Sequence, residues 1–164
     1  GGLRDLAAVE AVLAAGARWA VIGTRAALDA EFLRASGRRF GERLIVAVDA
    51  HGERVAVKGW TETAEAAVVD VACRARDAGA ASVLYTDVSR DGTERGPNVE
   101  ATAALARAVG IPILASGGVA SVADLRRLAA VDGVEGAVVG RALYTGAIAL
   151  PDALAATAPA PARP

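Results

Sequence analysis

The chain has 164 residues, 54% of them hydrophobic, and a formal net charge of −1. That is long enough for one domain with a real core, and so balanced a charge argues against a nucleic-acid surface or a polybasic membrane anchor. No apolar run reaches the roughly 18–20 residues of a membrane span, and the lone Cys73 rules out an intrachain disulfide; a cytoplasmic protein is the expectation.

Methionine is absent and the chain begins Gly1-Gly2-Leu3-Arg4-Asp5, which suggests a piece of a longer protein. A helical pattern over about 4–15 stops at Gly16, and an apolar run, Trp19–Thr24, reads as a strand. Next come a helix near 26–36, the strand Arg43–Ala50, a polar hairpin from Asp49 to Trp60, and a helix over 63–79 that ends at Gly79. Then follow the strand Ser82–Val88, a helix over 98–109 capped by Asn98 and stopped by Gly110, and the strand Ile111–Gly118. Ser121 caps a helix over 121–130, Gly136–Ala142 is the last strand, and a helix over 150–157 leads into a Pro/Ala-rich tail, 158–164, expected to be disordered. Each strand is a continuous apolar run, the pattern of a strand buried on both faces of a parallel sheet. The alternation predicts repeated βα units with right-handed crossovers. Trp19 and Cys73 read as core residues.

The strand ends are polar or glycine-rich: Gly23-Thr24, Asp49, Thr86-Asp87, Ser116-Gly117-Gly118 and Gly140-Arg141. In parallel α/β folds, ligands bind at that edge. An Asx-type turn accounts for Asp91-Gly92-Thr93 taken alone; repetition at every strand end favours a site. Thr86 should face it, and Asp87, one residue on, should point the other way and serve structure. An internal repeat sharpens the reading. Gly1-Gly2, a helix, a short turn and a strand ending at Gly23 are echoed by Gly117-Gly118, a helix, a turn and a strand ending at Gly140. Paired glycines and a short helix can cradle a phosphate through backbone N–H groups. Two such cradles imply a substrate with a phosphate at each end; the alternative is a duplicated packing unit. Arg4 is placed to neutralise the first phosphate, and Arg141 to serve the second through its backbone N–H more than its charge.

The segments GGLRD, VIGT, VAVDA, VAVKGW, TDVSRDGT, ASGGV and VVGRALY, in that order across residues 1–150, resemble the phosphoribosylformimino-AICAR (ProFAR) isomerase family of histidine biosynthesis. The resemblance implies a (β/α)8 TIM barrel, here a partial barrel over 1–157 carrying the fourth to eighth strands. The family's general base, an Asp ending the first strand, has no counterpart in this chain. The cyclase subunit of imidazole glycerol phosphate synthase shares the RDGT segment but not the KGW hairpin, and bifunctional isomerases that also accept phosphoribosylanthranilate remain a close alternative. A non-catalytic phosphosugar-binding fragment is the reading from a different class.

The reaction the resemblance implies is an Amadori rearrangement of a bis-phosphorylated ribosyl-imidazole substrate, from aldose to ketose, without metal or organic cofactor. An acid opens the ribose ring and a base removes the C2 proton. Asp49, ending an apolar strand and so partly desolvated, is carried over as proton donor; Asp91 is an equal candidate, with Thr86 beside it, facing Asp49 across the barrel mouth. Trp60 is expected to stack on the imidazole carboxamide, and Lys58 to contact phosphate or stay solvated. Ser116, Gly117 and Gly118 with Gly140 and Arg141 would hold one phosphate, and Gly1, Gly2 and Arg4 with Gly23 and Thr24 the other. Ser89, Arg90 and Arg95 belong to a substrate loop or a solvated one, and His51 is a surface residue. An intact protein is expected to be monomeric, and a fragment to self-associate.

Overall fold

Apolar runs become strands and amphipathic runs become the helices that cover them in a computed structural model, which describes residues 2–158. Gly1 and residues 159–164 of the tail lie outside the described residues. Helix α1 (Leu6–Ala14) leads to strand β1 (Ala20–Ile22), then α2 (Thr24–Leu28), α3 (Ala30–Phe40) and β2 (Leu44–His51). A hairpin, β3 (Arg54–Val57) and β4 (Glu62–Ala67), precedes α4 (Val68–Asp77) and β5 (Ser82–Asp87). The remainder is α5 (Val99–Val109), β6 (Ile113–Ser116), α6 (Val122–Ala129), β7 (Val134–Val138), α7 (Arg141–Tyr144) and α8 (Leu150–Thr157).

Strands β1, β2, β5, β6 and β7 are parallel, and β2, β5, β6 and β7 each pair with the parallel strand that precedes them in the chain. This is a parallel-rich α/β sheet consistent with a TIM-barrel family. Among the described residues no strand pairs with the outer edge of β1 or of β7. The β3–β4 hairpin grows antiparallel from the C-terminal end of β2, through Ala50 opposite Val55 and His51 opposite Arg54. Val46, Val48, Val83, Tyr85 and Ile113 bury one face of the sheet in the main core with the helices. A second cluster, around Leu125, Leu128 and Ile148, packs the β7 end.

Three sequence expectations change. The predicted helix over 63–79 splits, because 62–67 is strand β4 and the helix starts at Val68. The Glu/Ala-rich composition favours helix, but backbone pairing with β3 (Val57 opposite Glu62, Ala56 opposite Thr63) overrides a weak local preference. Trp19 is not core: it precedes β1, is 43% exposed, and has the Arg18 guanidinium 4.4 Å from its ring centroid. Cys73 is half-buried against the core rather than within it. The caps follow the pattern: Asn98 accepts from the backbone of Ala101 at 3.1 Å, and Ser121 forms a capping box with Asp124.

Asp87 turns away from the sheet face that carries Thr86, as alternation predicts, and is buried. Its carboxylate accepts from the Ser89 backbone at 3.0 Å and hydroxyl at 2.6 Å, and from Asn98 Nδ2 at 2.8 Å. It therefore ties both ends of the long 89–98 loop to the strand. Burial alone would push this carboxyl up; hydrogen bonds from Ser89 and Asn98, helped by Arg90, outweigh it and hold Asp87 below the ordinary aspartate value. Burial and the Asp87 charge push the adjacent Tyr85 phenol up to about 12. Asp87→Ala should cost about 1–3 kcal/mol at neutral pH, because it strands buried donors. A depressed carboxyl stabilises fully above its unfolded-state pKa of about 3.9 and loses that contribution as pH falls through its folded value. Denaturant midpoints of wild type and variant should therefore converge below pH ~4; an undiminished gap at pH 3 would mean that the charge is not what holds the loop.

Candidate functional site at the C-terminal edge of the sheet

Register builds the site. Asp49 pairs with Thr86, Thr86 with Ser116 and Ser116 with Val138, so the four lie in one row across β2, β5, β6 and β7. Neighbouring strands are about 4.8 Å apart, which places Thr86 between Asp49 and Ser116 in that row. The face is the one opposite the helix-covered core. Thr86 is only 6% exposed, whereas Val21 and Val138, at the flanks of the same face, are 37% and 47% exposed.

A cleft of about 810 Å³ lies on the β1 side, lined among others by Gly2, Arg4, Gly23, Thr24, Asp49 and Lys58. Its cations differ in availability. Arg25 pairs with Asp29 at 2.8 Å and Lys58 with Glu62 at 2.9 Å; among the described residues no carboxylate pairs with Arg4. A Cβ at Gly2 would meet nothing within 4 Å, and one at Gly23 would meet only Ala47, at 3.6 Å, so the lip is open to an incoming group. At the hairpin tip the Trp60 indole N–H donates to Asp49 Oδ2 at 2.9 Å.

A smaller recess of about 180 Å³ lies on the β7 side, lined by Asp91, Ser116, Gly117, Gly118, Gly140 and Arg141, with Gly92, Glu94, Val119 and Val138. Arg141 donates to the Gly92 carbonyl at 3.0 Å and pairs with Glu94 at 2.9 Å. The loop after β5 thus engages two of its guanidinium nitrogens. Gly140 has open space where a Cβ would stand. Gly117 and Gly118 do not: at φ of +98° and +80°, their Cβ atoms would come within 2.6 Å of the Asp87 and Gly96 carbonyls. These two glycines pack the loop after β5 against β6, so close approach to protein backbone is itself a reason for them.

The two openings repeat one local structure. Gly2 and Gly118 have φ of +88° and +80°. Three residues later Asp5 and Ser121 cap α1 and α6 with φ of −146° in both cases. Gly23 (φ −125°, ψ −110°) and Gly140 (φ −99°, ψ −97°) then precede the short helices α2 and α7. The sequence repeat is therefore a repeat of backbone conformation.

Most of the expected site residues are brought to one edge, in two groups. The expected cluster of Thr86 with Asp91 is rearranged: Thr86 sits in the row beside Asp49, while Asp91 lies on the exposed loop lining the smaller recess. The Trp60–Asp49 hydrogen bond and the Glu94–Arg141 pair were not foreseen. Glu94 has a left-handed backbone (φ +54°), for which the sequence carries no glycine or asparagine signal.

Residues 1–149 match the family described as histidine biosynthesis protein. The chain belongs to the histidine biosynthesis protein family. Curated relatives of this family share the name 1-(5-phosphoribosyl)-5-((5-phosphoribosylamino)methylideneamino)imidazole-4-carboxamide isomerase. The one from Sorangium cellulosum is 52% identical over 156 residues, 95% of this chain and 65% of its own length. Those from Trichlorobacter lovleyi and Dinoroseobacter shibae are 46% and 49% identical, over 94% and 96% of this chain and 64% and 66% of their own. The chain thus spans just under two thirds of the length of these relatives. The stretch matching the histidine biosynthesis protein family contains both openings and the whole row from Asp49 to Val138. Among the described residues no helix is long and apolar enough to cross a membrane.

Proposed function

We propose that this chain carries the phosphate-binding and proton-donating part of an intramolecular aldose–ketose isomerase that converts ProFAR to its ketose isomer in histidine biosynthesis. The observation that carries the reading is the arrangement of two structurally equivalent glycine-lipped openings joined by one row, in which Asp49 lines the first, Ser116 lines the second and Thr86 lies between. A substrate with a phosphate at each end fits such a pair. Arg4 and the Gly2 and Gly23 lip take one phosphate; the Gly140 and Arg141 backbone takes the other. Asp49 then protonates the ribose ring oxygen: it stands on strand β2 and lines the larger cleft, whereas Asp91 stands on the exposed loop beside the smaller recess. Thr86 orients the substrate next to Asp49. The Trp60 ring, 44% exposed, offers its face to the planar imidazole carboxamide.

Removal of the C2 proton needs a base. The resemblance puts it on a first strand outside the five parallel strands described here, and the chain covers 65% of the Sorangium cellulosum relative's length. A second reading, binding of phosphosugars without turnover, is favoured by the placement of Asp49 and Asp91 in separate openings. The open edges of β1 and β7, flanked by exposed Val21 and Val138, are the kind that recruit another strand. The chain alone is expected to elute above monomer size in size-exclusion chromatography, and to bind ProFAR without converting it. Adding the remaining third of a relative's sequence as a separate polypeptide should restore conversion. Turnover by a monomer of this chain would overturn the absent-base reading, and binding without turnover even after complementation would favour the phosphosugar-binding one.

A further inference from the structure

The Trp60 indole reaches Asp49 across eleven residues of hairpin, and the backbone is bent to deliver it. Lys58, Gly59 and Trp60 all have positive φ, at 54°, 68° and 70°. Left-handed backbone is unfavourable for side chains with a Cβ, and a bulky residue there persists only where its surroundings hold it. Here the Lys58–Glu62 ion pair at 2.9 Å and the Thr61 hydroxyl, donating to the Lys58 carbonyl at 2.9 Å, close the tip. The hairpin base is fixed by the pairing of β3 with β2. The result is one polar contact: indole Nε1–H to Asp49 Oδ2 at 2.9 Å.

We infer that Trp60 is a positioning residue for Asp49. Its N–H edge holds Oδ2, which leaves Oδ1 as the oxygen that exchanges a proton with the substrate. This rests on the isomerase reading for its chemistry, though not for the contact itself. No other hydrogen bond to the Asp49 carboxylate exists among the described residues, so without the indole the group is free to rotate. Tryptophan suits the task because it has only two rotatable bonds and one donor. The same ring then links the plane of a stacked base to the orientation of the acid, through its face and its edge.

The test separates contact from chemistry. The chain has two tryptophans, so an isotope-labelled sample shows two indole N–H signals, and Trp60→Phe assigns them. Asp49→Ala should shift the Trp60 signal, leave that of Trp19 in place as a control for folding, and raise amide exchange at residues 59–61 by roughly ten-fold. Trp60→Phe should raise that exchange by the same factor and the double variant no further, the mark of a coupled pair. An unmoved indole signal, or additive effects, overturns the proposal. In the preparation that turns ProFAR over, Trp60→Phe keeps a stacking ring and loses the donor. It should lower kcat roughly 10- to 100-fold and change KM less than about three-fold; a merely stacking residue would leave kcat near wild type, and that result also overturns the proposal. Absence of turnover in every preparation, with the indole signal still following Asp49, overturns the isomerase reading and upholds the contact.

Discussion

Asp49→Asn is expected to lower isomerase turnover by roughly 10²-fold or more, the cost of losing a general acid, while leaving phosphate binding nearly intact. The change is close to isosteric, and the amide oxygen can still accept from the Trp60 indole, so the hairpin should keep its place. What disappears is the ability to donate a proton. Steady-state kinetics on the complemented enzyme, together with binding of a singly phosphorylated ribotide, separate the two terms. Activity within a few-fold of wild type would remove Asp49 as the acid and move that role to Asp91, which lines the other opening.

Glycine replacements should divide into two classes. Gly118→Val should destabilise the fold by about 2–5 kcal/mol, combining a left-handed backbone with an overpacked contact. The added Cβ would come within 2.6 Å of the Gly96 carbonyl and 2.9 Å of the Arg90 Cβ, and its own carbonyl receives the Gly96 N–H. Lost substrate affinity in that variant would report a displaced loop rather than a filled cradle. Gly140→Ala is the clean probe: its φ is −99° and the new methyl meets nothing within 4 Å. Its thermal midpoint should stay near wild type while affinity for the phosphate on the β7 side falls. A fold-neutral Gly140→Ala with unchanged affinity would count against an anion at that lip, and a Gly118→Val protein of wild-type stability would contradict the packing described here.

Much of this site is readable before folding. Asp49, Thr86 and Ser116 stand out because a polar residue ending a buried strand needs a reason to be there. The glycine repeat stands out because only backbone conformation explains two such similar spacings. What the chain does not show in one dimension is register. That Asp49, Thr86 and Ser116 form a row depends on which residues pair between strands, and a slip of one would turn Thr86 away and bring Asp87 in. The hairpin partner strand over 62–67 was hidden because its Glu and Ala residues prefer helix in isolation, and only pairing with β3 holds them extended. The Trp60–Asp49 contact was hidden for a related reason, since it follows from three successive left-handed residues of which only Gly59 advertises the conformation. Gly118 lines the recess, and the carbonyl of Gly96 on the loop packed against it gives a second reason, invisible in the sequence, for a glycine there.

The neighbour order of the parallel strands also bears on how the chain acquires its shape. From β2 onward every parallel strand pairs with the parallel strand before it in the chain, so closing each pair requires only the segment between them to fold back, a local closure in entropic terms. The β2–β5 pair, with six residues in register and the β3–β4 hairpin and α4 between them, is the natural place for such growth to begin. Further βα units can then be laid down on either side as they become available, during synthesis as well as after it. Amides at Val46 and Val83 should be the last to exchange with solvent, and those of β1 and β7 among the first.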